Sequence, residues 1–194
     1  GVSPDLTIFG KVIAGGYPGA GGIGGKREYM KYLGAGLDAS GEKVKKAFMG
    51  GTMAATPLSC VAGYYTLEEI DKQNACQKAG LMGDRLTKGL QELIAKYNLP
   101  FVAFNQGSVC HIDTVGTMHY AIDWLKPWTI PGVLSATSER KKEMQHMGAA
   151  YMAEGLVTLA GSRLYTNACY TPELIDEALR RFDKVFANVA IKAE

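Results

Sequence analysis

The chain has 194 residues, with 21 Lys plus Arg against 19 Asp plus Glu and a formal net charge of +2. That near balance argues against a nucleic-acid surface or a polybasic membrane contact, and no apolar run reaches the ~18 residues that a membrane-spanning helix needs. With 47% hydrophobic residues, the chain is long enough to bury the core of one or two domains.

Glycine is spread unevenly. Fourteen of the 24 lie in residues 1–51, and each one inside a helix would cost roughly 0.5–1 kcal/mol relative to alanine. This segment is therefore expected as short strands and tight turns where backbone approaches something closely. Residues 12–14 and Ile23 are the expected strand cores, residues 26–33 a short helix and residues 35–49 a surface loop. Lys11 lies in the apolar run Leu6-Thr7-Ile8-Phe9-Gly10-Lys11-Val12-Ile13-Ala14, just before the pair Gly15-Gly16. Two readings of it stand. Burial would penalise the ammonium and favour a neutral amine, a nucleophile that forms Schiff bases. Alternatively, Lys11 snorkels from a strand end into water.

Gly19-Ala20-Gly21-Gly22-Ile23-Gly24 matches the dinucleotide pattern G-x-G-x-x-G, and residues 20–27 nearly match a phosphate loop. Neither has its required setting. Pro18 breaks the approaching strand, Gly34 and Gly36 curtail the helix, and Arg27 stands where Ser or Thr would hold magnesium.

Pro57 opens a long helix after a capping Thr56, with Leu58, Val61, Ala62, Tyr65, Leu67 and Ile70 as its apolar stripe. Asn74 is expected to cap a second helix running to about Tyr97, stopped by Pro100. Residues 101–106 and 108–114 read as strands bent at Gly107. Residues 118–135 are irregular, with Trp124 and Trp128 either lining a substrate mouth or packed on the core. Ser138 is expected to cap a helix that Gly155 ends. Residues 156–159 and 164–166 read as a strand pair around Gly161. Thr171-Pro172-Glu173 starts the last helix, whose apolar face is Leu174, Ala178, Leu179, Phe182, Val185, Phe186 and Val189. The order implies a mixed α/β chain in two parts.

Cys60, Cys76, Cys110 and Cys169 form no C-x-x-C pair. They read as buried small hydrophobes in a reducing compartment, hence a cytoplasmic protein without a zinc knuckle or redox motif. The N-terminus has no basic region followed by an apolar core, so no signal peptide is expected. His111, His119 and His146 complete no metal pattern. His111-Ile112-Asp113 could set two ligands on one strand face, although a core histidine is the simpler reading.

The stretch Ser3-Pro4-Asp5-Leu6-Thr7-x-x-Gly10-Lys11-x-Ile13-x-Gly15-Gly16 resembles the cofactor-lysine segment of class III aminotransferases, a pyridoxal-phosphate (PLP) family that includes omega-transaminases and glutamate-1-semialdehyde aminomutases. The resemblance continues through residues 17–28. It returns at Gly51-Thr52-Met53-Ala54-Ala55-Thr56-Pro57-Leu58, similar to the family's Gly-Thr-x-x-x-Asn-Pro-Leu. It implies the PLP-dependent transferase fold of type I. Residues 1–70 would then be the end of the large cofactor domain with its connecting helix, and residues 71–194 a small C-terminal α+β domain.

The resemblance further implies that Lys11 forms the internal aldimine and moves the substrate proton. Gly51 and Thr52 would bind the cofactor phosphate from the partner subunit of a homodimer. Arg163 would grip the carboxylate of an amino- or keto-acid substrate, unless it forms a surface salt bridge with an acid such as Asp176. Two departures stand out. Thr56 replaces the usual asparagine. The family's phosphate-cradling loop, its stacking aromatic and its aspartate for the ring nitrogen lie upstream of the matched segment, so the chain is expected to be the C-terminal part of such an enzyme. The competing expectation is a non-catalytic small-domain dimerisation module that cannot hold the cofactor alone.

Overall fold

The computed structural model describes residues 1–18, 21–34, 45–48, 50–54, 56–115, 126, 128 and 130–191. Outside them fall Gly19 and Ala20 of the glycine motif, most of the expected surface loop at 35–49, His119, Trp124 and most of the irregular stretch 118–135. The chain forms two compact units, Gly1–Gln73 and Asn74–Glu194.

In the first unit, β1 (Leu6–Gly10) pairs antiparallel with β2 (Gly21–Gly25), with Ile8 opposite Ile23 and Gly10 opposite Gly21. The expected strand at 12–14 is instead a 3-10 turn, Lys11–Ala14, because Lys11 takes a left-handed φ of +60° and reverses the chain. Glycines in β2 make room for the Phe9 ring: a methyl group at Gly24 would come 3.3 Å from Phe9 Cε2. The glycine motif therefore runs into a strand. Helix α1 (Arg27–Met30) has only four residues before it tightens to a 3-10 turn, Lys31–Leu33, so neither nucleotide reading has its helix.

Helix α2 (Pro57–Lys72) begins with its proline in the first turn, but Thr56 makes no side-chain cap. Its Oγ1 lies 3.3 Å from the Met53 carbonyl and 3.1 Å from Ser59 Oγ instead. The expected apolar stripe is turned outward, since Leu58, Val61, Tyr65 and Leu67 are all at least half exposed. The side that packs within this unit carries Ser59 and Gly63, because the 3-10 turn approaches α2 too closely for larger residues.

The second unit starts at Asn74, which does not cap with its side chain. It takes a left-handed φ of +50°, a conformation that asparagine tolerates well. Helix α3 (Ala75–Lys96) follows. Strands β3 (Val102–Gln106) and β4 (Val109–Asp113) form a hairpin closed by Gly107 and Ser108, with Gly107 at φ +58°. Glycine serves this first position of a two-residue hairpin at little cost. Helix α4 (Ile130–Ala153) begins eight residues before Ser138, which lies inside it. Pro131 sits in the first turn, where its missing N–H costs nothing, and Gly155 follows the end at φ +76°.

Residues 156–159 are not a strand. Leu159 makes a single bridge to Arg163, while β5 (Arg163–Tyr165) pairs with β4, giving the antiparallel order β3-β4-β5. Helix α5 (Pro172–Ile191) is capped as expected, the Leu174 N–H donating to Thr171 Oγ1 at 3.3 Å.

Helix α3 packs against α5 and against the β3–β4 hairpin. The core they close contains Leu86, Leu90, Cys110, Ile112, Tyr151, Ile175, Phe182 and Phe186. The Phe182 ring lies 5.1 Å from Tyr151 and 6.0 Å from Phe186, and burying each large apolar side chain is worth roughly 1.5–3 kcal/mol. On α5 the expected Phe182, Val185 and Phe186 are buried and Ala178 and Leu179 pack against the core, while Ile175 takes the buried place expected for Leu174, which is exposed. Only Cys110 is a buried thiol. Cys60, Cys76 and Cys169 are free and exposed, contrary to expectation, because they lie on outward-facing positions.

Candidate functional site

Lys11 follows β1 directly. Gly10 is extended, Lys11 turns to φ +60°, and Gly15 closes the 3-10 turn by donating its N–H to the Val12 carbonyl at 2.9 Å. Tyr17 N–H then donates to the Ala14 carbonyl at 3.0 Å. Ala14 is fully buried, whereas Lys11 and Val12 are exposed. Of the two readings of Lys11, burial is not provided by this chain's own residues, and the exposed side chain matches the alternative of an amine reaching water from a strand end. The strand end presents the amine outward, on a backbone conformation that a residue with a Cβ adopts only where its surroundings impose it.

Gly51 and Thr52 lie in an exposed turn ahead of α2, in which the Ala54 N–H donates to the Gly51 carbonyl at 2.9 Å. No hydrogen bond joins them to Lys11 among the described residues. Asp5 is engaged by Lys26 at 2.5 Å. Three residues that the sequence reading passed over lie behind the Lys11 turn: Ser59, Gly63 and Thr66 on α2. Their i, i+4, i+7 spacing was the available signal, a face of small residues on one helix.

Arg163 belongs to the second unit. It is exposed in β5 opposite His111, and its backbone exchanges hydrogen bonds with Leu159 at 2.8 and 3.1 Å. No acid lies within ion-pair distance of it among the described residues. Asp176, its expected structural partner, is taken by Arg85, whose Nε and Nη2 donate to the two carboxylate oxygens at 2.9 and 2.8 Å. The hydrogen bonds from Arg85 hold the Asp176 carboxyl below its ordinary pKa.

His111 stacks on Phe104 with ring centroids 4.9 Å apart, and Asp113 pairs with Arg140, so these two are not arranged as ligands. No metal-binding cluster occurs among the described residues, nor does any helix among them have the length and apolarity to cross a membrane. Trp128 is 71% exposed rather than packed on the core.

The family model for class III aminotransferases matches residues 1–186, so the chain belongs to that family. A 109-residue stretch is 38% identical to glutamate-1-semialdehyde 2,1-aminomutase 1 of Staphylococcus epidermidis, covering 56% of this chain and 23% of that protein. The structure superimposes on an omega-transaminase from Sphaerobacter thermophilus with a TM-score of 0.71 at 20% identity, over 96% of this chain and 39% of the other. It also superimposes on a transaminase with PLP bound, with a TM-score of 0.73 at 19% identity, over 99% of this chain and 40% of the other. The fold is thus that of the type I PLP-dependent transferases. The chain spans less than half the length of each of these relatives.

Proposed function

We propose that this chain contributes the cofactor lysine, Lys11, and the small C-terminal domain of a PLP-dependent enzyme. That enzyme would transfer or shift an amino group on an amino or keto acid, as an aminotransferase or a glutamate-1-semialdehyde aminomutase does. In this reading residues 1–70 complete the large domain and residues 71–194 form the small one. The observation that carries it is Lys11 itself: an exposed primary amine at a strand end, held at φ +60°. Left-handed backbone at a non-glycine residue concentrates at functional sites.

The donor set suits PLP. A primary amine matches its aldehyde, and the exposed Thr52 hydroxyl beside the Gly51 amide matches its phosphate. When bound, PLP supplies the electron sink for charge that develops at the substrate α-carbon. Lys11 Nζ provides the attachment point and then acts as a general base, taking the α-proton and returning it. In a homodimer, Thr52 Oγ1 would hold the phosphate of the neighbouring subunit's cofactor. The Arg163 guanidinium, without an ion-pair partner among the described residues, suits a substrate carboxylate bidentately. The exposed free thiols Cys60, Cys76 and Cys169 fit a cytoplasmic location.

Borohydride reduction in the presence of PLP, followed by peptide mapping, tests the assignment. A pyridoxyl group on Lys11 is expected. Label on other lysines with Lys11 clean would reject it and favour a non-catalytic small-domain module.

A further inference from the structure

We propose that α2 sets the direction of the Lys11 amine, with Ser59 and Gly63 as positioning residues; the proposal rests on Lys11 being the cofactor lysine. A lysine at φ +60° does not hold that conformation by its own preference, so neighbouring groups must impose it. The small face of α2 touches the turn and its exit at three points. A methyl group at Gly63 would come 3.3 Å from the Ile13 carbonyl oxygen and 3.9 Å from Ala14 Cα and Cβ. A methyl group at Gly15, itself at φ +59°, would fall 2.7 Å from Thr66 Oγ1. Ser59, only 5% exposed, donates to the Pro18 carbonyl at 2.6 Å and so ties the chain leaving the turn to the start of α2.

These contacts fix the far side of a four-residue turn whose first residue is Lys11. A Cβ at position 63 would press the Ile13 carbonyl oxygen aside by a few tenths of an ångström, and a larger side chain would need more room still. A small tilt there is magnified along the four-carbon lysine stem. Since misplacing a reacting group by about 1 Å costs on the order of 100-fold in rate, the buttress is expected to act on what the amine can reach rather than on whether the unit folds. The outward face of α2 makes none of these contacts, although it carries the larger apolar residues.

The test uses the intact protein with Gly63→Ala, Gly63→Val, Ser59→Ala, Ser59→Thr and Lys11→Ala. PLP is trapped with borohydride, and the label at Lys11 is compared with that at Lys78 and Lys88 on α3. In parallel, the pH midpoint of the bound-chromophore absorbance is measured, together with hydrogen exchange of amides 12–17. Gly63→Val is expected to lower the Lys11 share of label by roughly tenfold or more, with Gly63→Ala intermediate. Ser59→Ala should lower it and Ser59→Thr restore it, while exchange in residues 74–194 stays unchanged. If Gly63→Val fails to fold, the Ser59 pair decides, since Ser59→Ala adds no bulk. Faster exchange at 12–17 with the Lys11 label and the chromophore midpoint unmoved would show a merely structural contact and overturn the proposal. Total label that is equally strong in Lys11→Ala would instead reject the cofactor lysine, and the positioning role with it.

Discussion

Replacing Lys11 by glycine should leave the chain more stable than replacing it by alanine. At an ordinary backbone position alanine is favoured over glycine by about 0.4–1 kcal/mol, because it narrows the unfolded ensemble. At φ +60° the Cβ of an L-residue costs roughly 1–2 kcal/mol, which outweighs that preference. Glycine should therefore be the more stable of the two by about 0.5–1 kcal/mol. The Lys11 side chain is exposed, so both variants lose similarly little packing and their difference isolates the backbone. Urea unfolding without cofactor, followed by hydrogen exchange in peptides from residues 1–73, measures it. Lys11→Ala more stable than Lys11→Gly would refute a left-handed Lys11. Both variants should lose covalent attachment of PLP, so that Lys11→Gly gains stability at the expense of function, as expected where strain is held at a site.

Arg163→Leu in the assembled enzyme should lower kcat/KM roughly 10- to 150-fold for amino-acid substrates, with little change for the corresponding decarboxylated amines; equal losses on both would reject the carboxylate role. Acid should weaken the second unit. Hydrogen bonds from Arg85 lower the Asp176 pKa, those from Lys96 lower that of Asp183, and those from Arg181 and Arg180 lower that of Glu177. Folded values below the unfolded ones mean that the unfolded chain binds more protons. The stabilisation is then complete above about pH 5 and is lost as pH falls through the folded values. Thermal unfolding of the protein between pH 7 and pH 3 should show a midpoint falling below about pH 4, and less steeply in Asp183→Asn. A midpoint that rises on acidification would contradict these pairings.

The parts of the fold that could be read in the sequence are those fixed by local chemistry. The Thr171-Pro172-Glu173 start of α5 carries its cap, its proline and its acid within three residues, and the structure uses the cap as expected. The β3–β4 hairpin follows from two short apolar runs around Gly107. Helices α2 and α3 declare themselves by their 3.6-residue period, although two of their ends do not behave as read. Thr56 and Asn74 have capping chemistry, but a cap requires the chain to arrive at the right angle. Thr56 instead has Ser59 and Met53 within reach, and Asn74 spends its tolerance for left-handed backbone on the break between helices.

The candidate site divides in the same way. The sequence by itself placed Gly10-Lys11 in its apolar run and Gly51-Thr52 before a helix, local patterns whose resemblance to class III aminotransferases makes Lys11 the proposed reactive group. Its glycine content limited that segment to short strands and turns and marked the strand at Ile23, but the other strand was expected at residues 12–14 and lies at Leu6–Gly10 instead. Only the tertiary structure decided that Lys11 turns left-handed, that Gly63 and Ser59, from a helix more than forty residues away, pack against the turn after it and hold its exit, and that Asp176 belongs to Arg85 and leaves Arg163 without that partner. The last two are contacts between segments distant in the chain. Periodicity records which face of a helix is apolar or small, but not which segment packs against that face; on α2 it is the small face that the turn after Lys11 packs against.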